Sequence, residues 1–118
     1  MRDLAPQVVR QRLLIEALYT VDVDVAFVDR FLHGLAEHLD LRTYADATIV
    51  APGGEGRDEN EGFDAFLPLI DSGISLYVWT PSRFLACVLF TCKSFDTGRA
   101  MAFVNESFRT TDSTSLDF

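Results

Sequence analysis

The stretch FDAFLPLIDSGISLYVWTPSRFLACVLFTC, residues 63–92, decides the fold. It contains three runs that are rich in aromatic, β-branched and leucine residues, and these runs predict strands over 63–70, 73–80 and 84–92. The breaks between the runs, Asp71-Ser72-Gly73 and Pro81-Ser82, are short and consist of turn-forming residues. Because such short breaks join antiparallel neighbours, the stretch predicts a three-stranded antiparallel meander.

Upstream of the meander, the sequence predicts two strands and a helix. Residues 12–21 predict a strand, and residues 24–40 predict an amphipathic helix, because apolar side chains recur there at helical spacing. Asp22 and Asp24 offer N-cap oxygens for that helix. A second strand is predicted over 43–50, and the Gly- and Pro-containing residues 51–62 predict a loop.

Downstream of the meander, a second helix is predicted over 95–109 with Ser94 or Asp96 as its N-cap, and a tail strand over 114–118. The resulting order is β-α-β-β-β-β-α-β. Hairpin strands combined with amphipathic helices indicate an α+β two-layer sandwich, in which an antiparallel-rich sheet carries both helices on one face. At 118 residues the chain is predicted to form a single domain, 1–118.

The charge of the chain excludes some classes of ligand. Asp and Glu number 18 against 10 Lys and Arg, which gives a net charge of −8, and the sequence shows no basic stripe of the kind that binds nucleic acid. An acidic chain suits cationic ligands, or simply solubility. No apolar run reaches the ~20 residues of a membrane span, and the N-terminus lacks the apolar core of a signal peptide. We therefore expect a cytoplasmic protein that binds neither nucleic acid nor membrane.

Common motifs for disulfide, metal or phosphate chemistry are missing from the sequence. Cys87 and Cys92 are five residues apart on one predicted strand, so their side chains point to opposite faces and cannot pair. His33 and His38 are five apart on the first helix, a spacing that does not place them on one face, so no metal site is expected. The glycines of the 51–62 loop are not followed by the Gly-Lys-Ser/Thr of a phosphate-binding loop.

One segment carries a more specific signal. It begins with Asp71-Ser72, continues through an alternating strand to Trp79, and ends with Phe90-Thr91-Cys92. This combination at this spacing resembles the core of the S-adenosylmethionine decarboxylase family in its short prokaryotic form. The resemblance covers about residues 13–109, since LIEALYTVD, ADATIVAP and FDAFLP resemble the family's first three strands and the order of elements agrees.

The resemblance implies that the chain makes its own cofactor. In the family, the backbone before the serine is cleaved through an ester, and the serine becomes an N-terminal pyruvoyl group. Carried over, cleavage falls between Asp71 and Ser72, Ser72 is the pyruvoyl precursor, and no metal is needed. The resulting ketone condenses with a substrate amine and accepts the electron pair left when carbon dioxide departs. Cys92 stands where the family has the acid that returns a proton to the substrate carbon.

Three positions depart from the family pattern. Tyr77 stands where the family has a histidine that assists self-cleavage, and Asp64 stands where it has a serine that supports processing. Gly73 stands where the residue after the precursor is usually histidine. We expect Tyr77 to donate a hydrogen bond or a proton and Asp64 to accept one. The catalytic side chains of Ser72, Cys92, Tyr77 and Asp64 are expected to converge on one pocket.

Two functions follow from the resemblance. The first is a pyruvoyl-dependent decarboxylase of polyamine biosynthesis, which acts on S-adenosylmethionine or, because Asp64 can pair with an ammonium or guanidinium group, on L-ornithine or L-arginine. The alternative, favoured by the missing histidine, is an unprocessed, non-catalytic homologue that acts as a regulatory partner or a ligand-binding module. Relatives form homodimers with active sites at the subunit interface. The expected partners are therefore a second copy and a small, cationic, amine-bearing substrate.

Overall fold

Six strands and two α-helices make up the fold in the computed structural model, which describes residues 1–53 and 56–118. The strands are β1 (Gln11–Leu18), β2 (Thr48–Val50), β3 (Gly62–Leu69), β4 (Ser72–Trp79), β5 (Phe84–Thr91) and β6 (Asp112–Asp117), and the helices are α1 (Val25–His38) and α2 (Thr97–Phe108). The predicted order of elements is confirmed. A short 3-10 helix, Asp58–Asn60, lies in the predicted loop; Gly54 and Glu55 of that loop are outside the described residues.

The strands form one antiparallel sheet in the order β2-β3-β4-β5-β1-β6. The meander β3-β4-β5 is the one that the sequence predicts, and β1 pairs with its free edge, where Ile15 lies opposite Cys87. Side chains alternate between the two faces of a strand, so every second position shares a face. On one face these positions are fully buried, as Leu13, Leu76 and Leu89 illustrate.

Both helices cover this buried face. The Asp24 side chain caps α1 by accepting a hydrogen bond from the Phe27 N–H at 2.8 Å, and the Asp96 side chain caps α2 by accepting one from the Arg99 N–H at 3.0 Å. Each helix contributes its apolar side to a single core with the sheet, in which the rings of Phe27 and Phe108 pack edge to face with centroids 5.0 Å apart. The predicted two-layer α+β sandwich is therefore confirmed.

The opposite face of the sheet, which we call the open face, carries neither α1 nor α2. Its side chains include Phe66, Tyr77 and Phe90, which are 45%, 40% and 43% exposed. Leu116 on β6 extends the same apolar surface, because the register places it in line with Leu14 of β1. A cluster of exposed apolar side chains is typical of an interaction site.

The predicted strand over 43–50 is too long. Only Thr48–Val50 pair with β3, whereas Thr43 makes a single bridge to Leu69 and Tyr44 is 69% exposed. In the described part of the chain β2 is the edge strand of the sheet, so the intervening residues are not held in the ladder from an outer side. The other predicted boundaries shift by a few residues.

Candidate functional site

The Asp71–Ser72 peptide bond lies in the tight turn between β3 and β4. Leu69 and Ser72 are cross-strand partners, so only Ile70 and Asp71 lie between them. Ser72 has a φ of 124°. That value lies in the left-handed region, which glycine tolerates and which costs a residue with a Cβ about 1–3 kcal/mol. Backbone strain is therefore located at Ser72, the residue for which the family resemblance implies the role of pyruvoyl precursor.

The segment after β5 contacts this peptide bond directly. Ser72 pairs with Thr91, and the next residue, Cys92, donates a hydrogen bond from its backbone N–H to the carbonyl oxygen of Asp71 at 2.8 Å. Such a donor stabilises the negative charge that develops on a carbonyl oxygen when a nucleophile attacks the carbon. The Cys92 side chain is exposed. The structure thus places Ser72 and Cys92 at one end of the sheet, beside the same peptide bond.

Asp71 is held on its other side by Arg42. The Asp71 side chain is only 8% exposed. Its Oδ2 accepts a hydrogen bond from the Arg42 backbone N–H and its Oδ1 accepts one from the Arg42 guanidinium, both at 3.3 Å. Burial by itself raises the pKa of this carboxyl, but the Arg42 N–H, the Arg42 guanidinium and the charge of Lys93 outweigh it and hold the pKa below its ordinary value of 3.8. Asp71 is therefore ionised at neutral pH.

Sequence reasoning did not identify Arg42. Arg42 and Asp71 are 29 residues apart. Arg42 also lies outside the meander, which carries the most specific part of the family resemblance. The signal in the sequence is indirect, since an acid next to a buried strand end needs a cationic partner. Only the path of the chain after α1 shows which arginine supplies it.

Asp64 and Tyr77 lie elsewhere on the sheet. They are direct cross-strand partners on the open face, and both are exposed. Tyr77 follows Ser72 by five residues on one strand, which at a rise of about 3.3 Å per residue separates them by about 16 Å. No side chain spans that distance. The prediction that all four side chains converge on one pocket is therefore wrong for a single chain. The register pairs Asp64 with Tyr77 at one place, whereas Ser72 pairs with Thr91, beside Cys92, at another. The five-residue spacing also assigns Ser72 and Tyr77 to opposite faces of the strand.

The glycine that follows Ser72 makes room for an aromatic ring. A Cβ added at Gly73 would meet Cε1 and Cζ of Phe66 at 2.5 Å. Phe66 lies on the open face and is 45% exposed, so its ring must move outward before any side chain fits at position 73. A histidine at position 73, which the family usually has, would therefore require the Phe66 ring to move.

The two cysteines lie in different environments, as their spacing predicts. Cys87 is buried, Cys92 is exposed, and both are free thiols; burial raises the pKa of Cys87 to about 12. The His33 ring nitrogen Nε2 lies 3.6 Å from Asp29 on the same helix, and the His38 ring packs against Phe103. Within residues 1–53 and 56–118, no three His, Cys, Asp or Glu side chains are grouped so that they could hold a metal ion.

In the part of the chain that the structure describes, neither α1 nor α2 is long and apolar enough to cross a membrane.

Comparison with known proteins identifies the fold. No family model matches the chain, and no curated protein matches it. Among solved structures, the chain is similar to the crystal structure of the adenosylmethionine decarboxylase from Aquifex aeolicus VF5, with a TM-score of 0.72 and 18% sequence identity over 94% of this chain and 89% of that chain. At this level of identity the likeness shows the fold alone. The chain therefore has the fold of an adenosylmethionine decarboxylase.

Proposed function

We propose that the chain is a self-processing, pyruvoyl-dependent decarboxylase of polyamine biosynthesis. The observation that carries the proposal is the Asp71–Ser72 junction, where a strained serine follows a carbonyl group that the Cys92 N–H polarises. The fold shared with an adenosylmethionine decarboxylase supports it. The default substrate is S-adenosylmethionine, and Asp64 makes L-ornithine and L-arginine the alternatives, because its carboxylate can pair with a cationic end.

The first step of processing is an acyl shift at the junction. The Ser72 hydroxyl attacks the carbonyl carbon of Asp71, the C–N bond between the two residues breaks, and the hydroxyl proton is transferred to the released Ser72 nitrogen. The product is an ester. The Cys92 N–H stabilises the oxyanion that forms on the Asp71 carbonyl oxygen, and the departure from φ 124° relieves strain at Ser72.

The ester then breaks by elimination. Loss of the Ser72 α-proton expels the new carboxylate of Asp71 from the β-carbon and leaves a dehydroalanine. This enamine tautomerises to an imine, and water hydrolyses the imine to a ketone and ammonia. No oxidant or reductant is consumed. The chain 72–118 then begins with a pyruvoyl group, which supplies an electron-accepting carbonyl for the decarboxylation of an amine-bearing substrate.

Cys92 is assigned the proton-return step. Its side chain is exposed next to the junction, and its backbone is tied to Asp71. A thiol at that position can deliver its Sγ proton to the substrate carbon that has lost carbon dioxide. No metal takes part in this assignment.

We also propose that the working unit is a homodimer. Within one chain, Asp64 and Tyr77 are about 16 Å from Ser72, so they act at the junction only if a second copy brings them there. Face-to-face packing of two open faces with their strands antiparallel would bring the Tyr77 region of one sheet over the Ser72 end of the other. It would approach the junction there from the backbone, since the five-residue spacing assigns the Ser72 side chain to the opposite face. The exposed Phe66 and Phe90 support this arrangement, because dimerisation removes them from water.

The second candidate function is a non-catalytic homologue, and Tyr77 is the observation that favours it. A phenol is a poorer proton carrier at neutral pH than the imidazole of the family. A chain of this kind remains unprocessed and serves as a regulatory partner or a ligand-binding module.

Intact mass under denaturing conditions separates the two functions. A self-processing chain gives fragments 1–71 and 72–118, and the second fragment is lighter by one ammonia than a fragment that begins with serine. Carbon dioxide release from S-adenosylmethionine, L-ornithine and L-arginine is measured in parallel. Ser72→Ala is the control, because it lacks the attacking hydroxyl. A wild-type chain that stays intact on long incubation and releases carbon dioxide from none of the three is the non-catalytic homologue.

A further inference from the structure

The segment 40–43, which follows α1, lies across the turn that contains the Asp71–Ser72 bond. The Arg42 carbonyl oxygen accepts a hydrogen bond from the Ile70 N–H at 2.8 Å, and Thr43 forms a β-bridge with Leu69. Backbone contacts therefore join this segment to two consecutive residues of the turn. The Arg42 N–H extends the series to a third residue by donating to Asp71 Oδ2 at 3.3 Å.

Burying the Asp71 carboxylate in this turn costs free energy unless its charge is compensated. Among the described residues it is the only acidic side chain that is buried. A buried carboxylate requires partners for its charge and its lone pairs. Arg42 provides both, since its backbone N–H and its guanidinium bind the two carboxylate oxygens at 3.3 Å each. The guanidinium itself is on the outside, because the Arg42 side chain is 66% exposed.

The same aspartate is also held from the opposite side. Its main-chain carbonyl oxygen accepts the Cys92 N–H at 2.8 Å, so three oxygen atoms of Asp71 are bound at once. Lys93 joins the segment after β5 directly to the segment 40–43, because its Nζ donates a hydrogen bond to the Asp40 carbonyl oxygen at 2.6 Å. The segment 40–43 and the segment after β5 therefore bind Asp71, and with it the Asp71–Ser72 peptide, from two sides.

These contacts matter because strain at Ser72 can promote cleavage only if the turn cannot relax. A residue persists at a φ of 124° only when its surroundings hold it there. Attack on the Asp71 carbonyl also requires the hydroxyl and the carbon to stay in near-attack geometry, and a small displacement lowers the rate steeply. Fixing the Asp71 side chain fixes the carbonyl group attached to the same Cα.

We propose that Arg42 is a positioning residue for self-cleavage, because its guanidinium and N–H hold Asp71 so that the Asp71 carbonyl stays in reach of the Ser72 hydroxyl. This inference rests on the proposed function, and it adds to that function a residue outside the meander. Arg42 does not touch the reacting atoms. It acts through the Asp71 carboxylate.

The test measures the rate of fragment formation by mass in a time course of cell-free synthesis of the full chain. Arg42→Met removes the guanidinium but keeps the backbone N–H, and we expect it to slow cleavage by about tenfold or more. Arg42→Lys keeps a positive charge, and we expect it to restore part of the rate. The matched control is Arg10→Met, which removes another arginine that pairs with an aspartate, Asp3, but at the N-terminus. Its cleavage is expected to proceed at the wild-type rate.

Asp71→Asn supplies a second, independent variant. It keeps the size of the side chain but removes the charge that Arg42 binds, so it is expected to slow cleavage as Arg42→Met does. The double variant Asp71→Asn with Arg42→Met is expected to be no slower than the slower single variant, because both changes break the same contact. Effects that multiply would show instead that Arg42 acts on cleavage by a route other than Asp71.

The outcomes separate this inference from the proposed function. A wild-type chain that never cleaves overturns both. A wild-type chain that cleaves, together with Arg42→Met or Asp71→Asn that cleaves at the same rate, overturns the role of Arg42 alone. If Arg42→Met does not fold, Arg42→Lys and Asp71→Asn decide: a folded Asp71→Asn with wild-type cleavage contradicts the inference.

Discussion

The backbone N–H of Cys92 donates a hydrogen bond to the carbonyl oxygen of Asp71 at 2.8 Å. This contact gives one residue two separable tasks. Its main chain binds the peptide bond that the proposed function breaks, whereas its thiol is free for a later step. Every residue except proline keeps the N–H, so substitutions of the side chain test the second task alone.

Cys92→Ala is expected to leave self-cleavage intact and to slow turnover. The alanine N–H still donates to Asp71, but no thiol remains to return a proton to the substrate carbon. Loss of a positioned general acid costs about 100-fold or more in kcat. Fragment formation by mass and carbon dioxide release are measured on the same preparation. Cys92→Ala that releases carbon dioxide at the wild-type rate contradicts the assigned role, and Ser72→Ala, with neither cleavage nor release, is the control.

Thiol labelling tests the environment of the two cysteines. Cys87 is fully buried and burial raises its pKa to about 12, whereas Cys92 is exposed. We expect iodoacetamide at about pH 8 to add one label to the native chain, on Cys92, because only an accessible thiolate reacts. A second label appears on unfolding, and native Cys92→Ala takes up none. Rapid double labelling of the native chain contradicts the burial of Cys87.

The meander and the two helices can be predicted from the sequence because their signals are local. Alternation over 63–92 and the turn residues between the runs specify β3, β4 and β5 without reference to the rest of the chain. Asp24 and Asp96 mark the helix starts by the same kind of short-range chemistry. The length of β2 could not be predicted from the sequence, since it depends on how many residues pair with β3 at the edge of the sheet.

The candidate site could be predicted only in part. The spacing of Ser72 and Cys92 brings them together because each lies where a strand joins a turn or loop, and Ser72 pairs with Thr91. The separation of Ser72 from Tyr77 follows from the sequence itself, since five residues of one strand span about 16 Å. The contact between Arg42 and Asp71 could not, because it depends on the path of the chain after α1.

Gly73→Ala is expected to destabilise the fold through Phe66. A Cβ at position 73 falls 2.5 Å from two atoms of the Phe66 ring. That ring is half exposed and can swing outward, so we expect a cost at or below the lower end of the about 1–3 kcal/mol that overpacking a closed core incurs. The free energy of unfolding is measured in a Ser72→Ala background, which keeps the chain intact. Phe66→Leu removes the ring, so Gly73→Ala is expected to cost less in that background. An equal cost with and without the Phe66 ring contradicts this account.

The stability contributed by Asp71 is expected to depend on pH. Burial raises its pKa, but the Arg42 N–H and guanidinium and the charge of Lys93 lower it below 3.8. A carboxyl whose pKa is lower in the folded chain stabilises the fold above its unfolded pKa, and this contribution is lost as the pH falls through the folded pKa. The difference in Tm between Ser72→Ala and Ser72→Ala/Asp71→Asn is therefore expected to be constant above about pH 5 and to shrink below about pH 4.

Arg42→Met is the control for this titration. Without the guanidinium, the same Asp71→Asn comparison is expected to give a smaller difference in Tm at neutral pH. A difference that stays constant from neutral pH to about pH 3 contradicts the lowered pKa of Asp71.

Mixing two variants tests whether a second copy completes the site. Tyr77→Phe removes the phenol that the proposal brings from the second copy, so its cleavage is expected to be slow. Ser72→Ala cannot cleave but still carries Tyr77. In a mixed dimer, Ser72 of the Tyr77→Phe chain lies opposite Tyr77 of the Ser72→Ala chain, and cleavage of the Tyr77→Phe chain is restored. Mass distinguishes the two chains, so the restored fragments are assigned without ambiguity.

The control for this mixture is Tyr77→Phe with Ser72→Ala/Tyr77→Phe, which contains no Tyr77 and is expected to show no rescue. Light scattering on Ser72→Ala is expected to show a dimer at micromolar concentration, because dimerisation removes the exposed rings of Phe66, Tyr77 and Phe90 from water. If cleavage of the Tyr77→Phe chain stays slow in both mixtures although dimers form, the phenol acts within its own chain and not from the second copy. Since about 16 Å separates Tyr77 from Ser72 in one chain, that result would remove Tyr77 from the cleavage chemistry.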